Sequence, residues 1–132
     1  MSADTANLET FAFGNTPQMA DDLGALVVAG VKTATCWAAS QGEQTHVGKR
    51  MVMLDGTGRP WAVIETVELT LRRFGEVDAA FAYDEGEGDR SLADWREGHE
   101  RYFKGEGTWS PGMPLCCERF RLIEVLDQEA IR

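Results

Sequence analysis

The run from Trp61 to Leu71 constrains the fold more than any other part of the chain. It is rich in Val, Ile and Thr, whose branched side chains suit a pleated surface. A strand of that length in a chain of 132 residues predicts a sheet that curls on itself or closes into a barrel. Alternation places Trp61, Val63, Glu65, Val67, Leu69 and Leu71 on one face, which reads as the apolar one. Glu65 interrupts it, and an acid is rarely buried without a partner. It reads equally as a carboxylate at the barrel rim or as an acid in a pocket.

Other elements gather around this strand. Arg50–Leu54 reads as a second strand, joined to it through the turn signal Asp55-Gly56-Thr57-Gly58. Thr33 to Ala39 and Leu115 to Leu126 read as further strands, the last with Phe120, Leu122, Ile123 and Val125 as core candidates. Thr16-Pro17 is a helix start, a hydroxyl cap followed by proline at the first helical position. Met19, Leu23, Leu26 and Val27 then recur at helical spacing up to Gly30, which closes the helix. Phe74–Ala82 is expected to form a short helix. Ser91-Leu92-Ala93-Asp94 caps a longer one running to about Lys104, with Leu92, Trp95, His99, Tyr102 and Phe103 on its inner side. The order of elements does not alternate strands with crossover helices, so a doubly wound sheet is excluded. The expected class is α+β: a mostly antiparallel barrel with flanking helices packed at one side. The expected boundaries are a disordered tail over 1–10, a single domain over 11–126 and a C-terminal tail over 127–132.

Charge narrows the partners. The formal net charge of −9 weakens long-range attraction to nucleic acid and to anionic membranes. A polyanion would have to enter a local basic pocket. There is no apolar run long enough for a membrane span, and the first residues carry no signal-peptide pattern. Cys36, Cys116 and Cys117 fit neither a disulfide framework nor a paired metal motif, and read as buried small hydrophobes of a reducing, cytoplasmic compartment.

The chemistry-bearing stretch is Gly30-Val31-Lys32-Thr33-Ala34-Thr35-Cys36-Trp37, at a helix-to-strand corner. Lys32 with Thr33 or Thr35 can act on a phosphate or a carbonyl; by spacing alone the same residues are a solvated lysine and two strand threonines. Asp84-Glu85-Gly86-Glu87-Gly88-Asp89-Arg90 has three readings. It is a solvated acidic loop, a hard-cation loop that departs from the Ca²⁺ pattern, or a loop that aims Glu85 or Glu87 at Lys32. Metal at Asp84–Asp89 is not the favoured reading, and no cofactor is expected. His46, in the polar Ser40–Gly48 stretch, reads as a solvated loop histidine that could reach a neighbouring pocket.

Taken together, these residues resemble an ASCH-domain protein of the PUA-like superfamily. The carriers are Phe11-Ala12-Phe13-Gly14-Asn15, Gly30-x-Lys32-x-x-Thr35, Leu54-Asp55-Gly56-x-Gly58-x-Pro60, Ile64-Glu65-Thr66, the segment Phe81 to Leu92, and Met113-Pro114-x-x-Cys117-Glu118-Arg119-Phe120. The resemblance implies a PUA-like barrel with a cleft suited to single-stranded RNA, a nucleotide or a modified nucleoside. Family members are described as RNA-binding. Some resemble single-strand ribonucleases, and a shorter branch hydrolyses N4-acetylcytidine with a lysine, a threonine and a glutamate. Carried over, these fall on Lys32, Thr35 and Glu85, with Glu87 the near alternative. A serine near the cleft would fall on Ser110. Relatives tend to carry an aromatic where this chain has His46, and Trp37 or Trp109 could stack a base instead.

Three functions follow as expectations. In RNA cleavage, Lys32 would neutralise the phosphate and Glu85 or His46 would take the 2′-hydroxyl proton. In amide hydrolysis, Thr35 would be the nucleophile, Lys32 its activator and Glu85 the proton shuttle. In recognition without turnover, Lys32, Arg90 and Arg119 would grip phosphate. Thr33, Glu65, Glu87, Trp109 and Ser110 complete the candidate binding set.

Overall fold

The computed structural model describes residues 7–128. Its longest strand is β4, Pro60–Arg73, paired along its length with β5, Pro114–Val125. On the other side β4 pairs with β3, Arg50–Leu54, through the Asp55–Gly58 turn. There the Asp55 carboxylate accepts from the Thr57 and Arg59 backbone N–H groups. β1, Glu9–Phe11, runs parallel to β3, and β2, Ala34–Ala38, runs antiparallel to β5.

The resulting order is β1-β3-β4-β5-β2. The sheet is mostly antiparallel and open, which corrects the expected closed barrel. The reason lies at the edges. β1 has three residues and β2 has five, and neither reaches the other. A gap is left between the two edges. The expected tail over 1–10 is also corrected at its end, since Glu9 and Thr10 belong to β1; residues 1–6 and 129–132 lie outside the described residues.

The apolar face expected along β4 holds only in part. Of that set Val63 is buried, whereas Val67 and Leu71 are 45% and 69% exposed, and Ala62, Ile64 and Thr66 of the opposite face are buried. Register shifts between Thr66 and Glu68, and such a bulge leaves one residue unpaired and breaks the alternation. Beyond it the inner face belongs to other residues than period two predicts.

Among the described residues three α-helices cover the sheet. α1, Pro17–Val28, starts where Thr16 accepts the Met19 backbone N–H. It packs Val27 and Leu23 with Phe13, Met53, Ala62, Ile64 and Phe120. The segment expected as one helix over 74–82 is instead a 3-10 turn at Phe74–Glu76, then Val77 in extended conformation, then α2 at Ala79–Glu85, capped by Asp78. α3, Leu92–Glu106, is capped by Ser91 and closed by Gly107, its last residue two past the expected Lys104. α2 and α3 form a second core with Ala34, Ala38, Leu115 and Cys117. Each large apolar side chain so buried contributes about 1.5–3 kcal/mol. The helices therefore cover two separate parts of the curled sheet, not one side of a barrel. The space between α1, α3 and the free edge of β2 is the cleft.

Candidate functional site

The cleft is built at the exit of α1. Gly30 takes φ +79, and the Val31 and Lys32 N–H groups both return to the Leu26 carbonyl. This fold-back drives Lys32 inward, where it is 1% exposed. The end of α2 meets it there. Gly86 has φ +75, and a Cβ at that position would lie 2.7 Å from the Val31 carbonyl oxygen. Only glycine permits this approach, which sets Glu85 and Glu87 on either side of the ammonium.

Lys32 Nζ lies 3.1 Å from Glu85 Oε1, 2.9 Å from Glu87 Oε2 and 3.3 Å from the Glu85 carbonyl oxygen. An ammonium has three hydrogens, so all of them are used. Glu85 is as buried as Lys32. Its Oε2 accepts from Trp95 Nε1 at 2.9 Å, and His99 Nε2 stands 3.6 Å from Oε1. Burial opposes both charges. Glu85 and Glu87 outweigh it and hold the Lys32 pKa above the ordinary lysine value; Lys32 and His99 outweigh it and hold Glu85 far below the carboxylate range. Burial likewise opposes the His99 cation, and Glu85 more than compensates, raising its pKa.

Alternation then decides what else reaches this pair. Cys36 faces its cross-strand partner Cys117, and Thr35 faces Glu118. Directly opposed residues share a face of the sheet, and their neighbours along the strand take the other. Cys36 is the β2 residue against Glu85: its thiol, the Glu85 carboxylate and the His99 imidazole bring ligand atoms within 4.8 Å of one another. Such donors suit a thiophilic divalent ion. The Glu85 oxygens are already bonded by Lys32 and Trp95, however, and the ammonium opposes a second cation. Burial and the nearby Glu85 push the Cys36 thiol well above its ordinary pKa, so it is a poor nucleophile.

Two connected cavities open here. The larger, about 300 Å³, is lined by Phe13, Thr35, Trp37, Glu85, Trp95 and Tyr102 among others. The smaller, about 210 Å³, lies between the free edges of the sheet and is lined by Phe11, Phe13, Thr35, Trp37, Thr45 and Glu118. Thr35 and Trp37 belong to both. Glu118 is 6% exposed. Thr66 Oγ donates to its Oε2 at 2.7 Å, and Thr45 and Thr66 hydroxyls are 2.8 Å apart. Burial pushes Glu118 above the ordinary glutamate pKa, with Thr66 and Lys32 offsetting only part of it.

The structure therefore brings Lys32, Glu85 and Glu87 into contact and places Thr35 and Trp37 on the cavity wall. The other candidates stand elsewhere. Thr33 is exposed and its hydroxyl donates to the Asp84 carbonyl. Glu65 bonds Arg50 and Arg121 across the strands. His46 is exposed on a shallower hollow beside β1. Arg90 donates to the Tyr83 and Val31 carbonyls and stacks on Tyr83. Arg119 pairs with Asp84 and Glu68. Trp109 packs edge-on against Phe74, and Ser110 is exposed, its carbonyl accepting from Met113. In the acidic loop Asp84 holds Arg119, Glu85 and Glu87 hold Lys32, and Asp89 accepts the Ser91 N–H. Glu118, His99 and Trp95 were not among the candidates. Glu118 sits within the Cys-Glu-Arg-Phe motif, in alternation phase with the core candidates Phe120 and Leu122, and an acid in that phase was the available signal.

Comparison with known proteins agrees with this architecture. No curated protein matches the chain in sequence. The chain is similar to the crystal structure of a protein from Enterococcus faecalis V583, at 29% identity and TM-score 0.85, covering 98% of this chain and 84% of that one. It is similar to an ASCH domain from Lactobacillus crispatus JV V101, at 30% identity and TM-score 0.77, covering 87% and 79%. An ASCH protein from Zymomonas mobilis, solved as a point mutant, shares the fold at 10% identity and TM-score 0.55, covering 92% and 73%. The ASCH domain family model matches residues 9–124, which takes in the described strands and helices, but for Val125 of β5, and the cleft between them. The chain belongs to the ASCH domain family.

Proposed function

We propose that the cleft binds a modified nucleoside and hydrolyses its N-acyl group, with Thr35 as nucleophile. One observation carries this reading over the ribonuclease one. None of the three cations that the sequence offers for phosphate, Lys32, Arg90 and Arg119, lines either cavity, and the hydrogens of Lys32 are all engaged by protein acceptors. A site for a phosphodiester needs a donor free to meet the developing charge. What remains is an aromatic-walled slot of about 300 Å³, at the small end of ligand sites, which has room for one nucleoside and no extended strand. The family's association with RNA fits this if the modified base is the part that enters.

Lys32 and Glu85 then act through position and field. Their pair fixes the corner from which β2 departs and sets the Glu85 carboxylate in the cavity wall.

The test is turnover on N4-acetylcytidine by the purified chain beside Thr35→Ala, with single-stranded RNA in parallel. Release of cytidine by the wild type alone is expected, with the RNA left intact. RNA cleavage that disappears in Lys32→Ala, with no cytidine released, would return the ribonuclease reading.

A further inference from the structure

We infer that Glu118, not Glu85, is the general base that carries the proton of Thr35. The inference rests on the hydrolase reading above. A nucleophilic hydroxyl needs a base within direct reach or one water away. Glu85 is badly placed for that task. It lines the larger cavity with Thr35, but its contact on β2 is Cys36, on the other face of the strand, both its oxygens have partners, and its lowered pKa makes it a weak base. Lys32 is no better, since its nitrogen is a cation whose three hydrogens are engaged.

Glu118 has the opposite environment. It is directly opposite Thr35 across the β2–β5 ladder, where side chains on one face stand about 4.5–5.5 Å apart at Cβ. Both line the smaller cavity, and Thr35 also lines the larger. Glu118 is buried, makes no salt bridge with a described residue, and receives a hydrogen bond only at Oε2. Oε1 has no protein donor among the described residues and is not closed off as a buried unpaired oxygen, so it is open to a donor from the cavity, whether the Thr35 hydroxyl, a water or a ligand. Behind it stands a directional relay. Each hydroxyl has one hydrogen; Thr66 gives its own to Glu118, so Thr45 donates to Thr66. This holds Oε2 in place and leaves Oε1 for proton transfer. Two carboxyls with environments that push their affinities for a proton in opposite directions mark an acid–base division of labour.

In the first half-reaction Thr35 Oγ bonds the acyl carbon as its proton passes to Glu118. The acyl C–N bond breaks, and the leaving amine takes that proton, giving the deacylated nucleoside and an acyl ester on Thr35. Water then gives a proton to Glu118 and bonds the acyl carbon. The C–Oγ bond breaks, Oγ recovers the proton, and the carboxylic acid leaves.

The experiment is kcat and KM for N4-acetylcytidine against pH, for the wild type, Glu118→Gln and Glu118→Asp. The wild type should show activity rising with pH along an acid limb centred above the ordinary glutamate pKa, because the base must be ionised. Glu118→Gln should lower kcat by about 100-fold or more, with KM within a few-fold and no acid limb. Glu118→Asp keeps the carboxyl with a shorter reach; it should retain part of the activity and show a displaced limb, and it serves if the glutamine variant does not fold. A Glu118→Gln protein that matches the wild type overturns this inference while leaving the hydrolase reading standing. A wild type that releases no cytidine overturns both.

Discussion

The two faces of β2 carry two buried carboxyl groups in opposite conditions. On one face the Lys32 ammonium has three acceptors and both Glu85 oxygens have donors. On the other, Glu118 holds one hydroxyl and leaves an oxygen toward a cavity. Buried polar groups that satisfy each other are rigid and chemically quiet; one left partly satisfied is where a ligand can gain a bond the protein does not make. The difference separates the residues that build the site from those able to act in it. A buried lysine and glutamate attract functional assignment, yet their completeness makes them scaffold.

The largest effect should come from breaking the complete side. Lys32→Ala strands Glu85 without its main counter-charge, and removal of one partner of a buried pair costs about 3–5 kcal/mol. The double variant Lys32→Met, Glu85→Gln should recover most of that loss, because glutamine still offers Trp95 an acceptor and no charge remains unpaired. Urea unfolding midpoints at constant slope would measure both. A loss below about 1 kcal/mol in the single variant would place the pair with ordinary surface bridges and remove the contrast between the faces.

Thr66→Val sharpens the comparison from the incomplete side. It deletes the donor to Glu118 and the acceptor of Thr45 while keeping shape. Both partners are buried, so the expected cost is about 1–3 kcal/mol, read by the same unfolding measurement. Equal stability to the wild type would mean that water already serves these groups, and the relay proposed above would lose its support.

The next effect is a matter of sign. Glu85 has a folded pKa below its unfolded value, so it contributes stability above the unfolded value that is lost as pH falls toward the folded one. Glu118 has a folded pKa above its unfolded value. It costs nothing below the unfolded value, and its penalty grows as pH rises toward the folded one. Glu118→Gln should therefore gain melting temperature relative to the wild type near neutral pH and lose that advantage toward the ordinary glutamate pKa. A difference that stays flat across this range would show that Glu118 is not perturbed in the folded chain.

Much of the scaffold was legible because its signals are local. Thr16-Pro17, Asp55–Gly58 and Ser91-Leu92-Ala93-Asp94 act within a few residues of themselves, and each cap or turn formed where the residues indicated. The meeting of Lys32 with Glu85 joins positions 53 apart, and no periodicity encodes it; the acidic loop offered it as one of three readings, and resemblance to a family singled it out. The bulge at Val67 and the gap between β1 and β2 were not legible, since both depend on how strands of unequal length pair. Glu118 was hidden for a related reason. Its role follows from standing opposite Thr35, and register between β2 and β5 is a property of the assembled sheet.

The smallest effect tests a third carboxylate. Glu65 divides its oxygens between Arg50 and Arg121, and these hydrogen bonds hold its pKa below the ordinary glutamate value. Counted by partners it resembles Glu85. It differs in its surroundings, since both arginines stand in solvent, where charges are screened and long side chains lose entropy on pairing. Glu65→Gln should leave the unfolding midpoint close to the wild type at low salt and indistinguishable from it at high salt, with turnover unchanged. A large, salt-insensitive loss would mean that partner number alone, and not burial, governs what a carboxylate does in this sheet, and the contrast between Glu85 and Glu118 would need another cause.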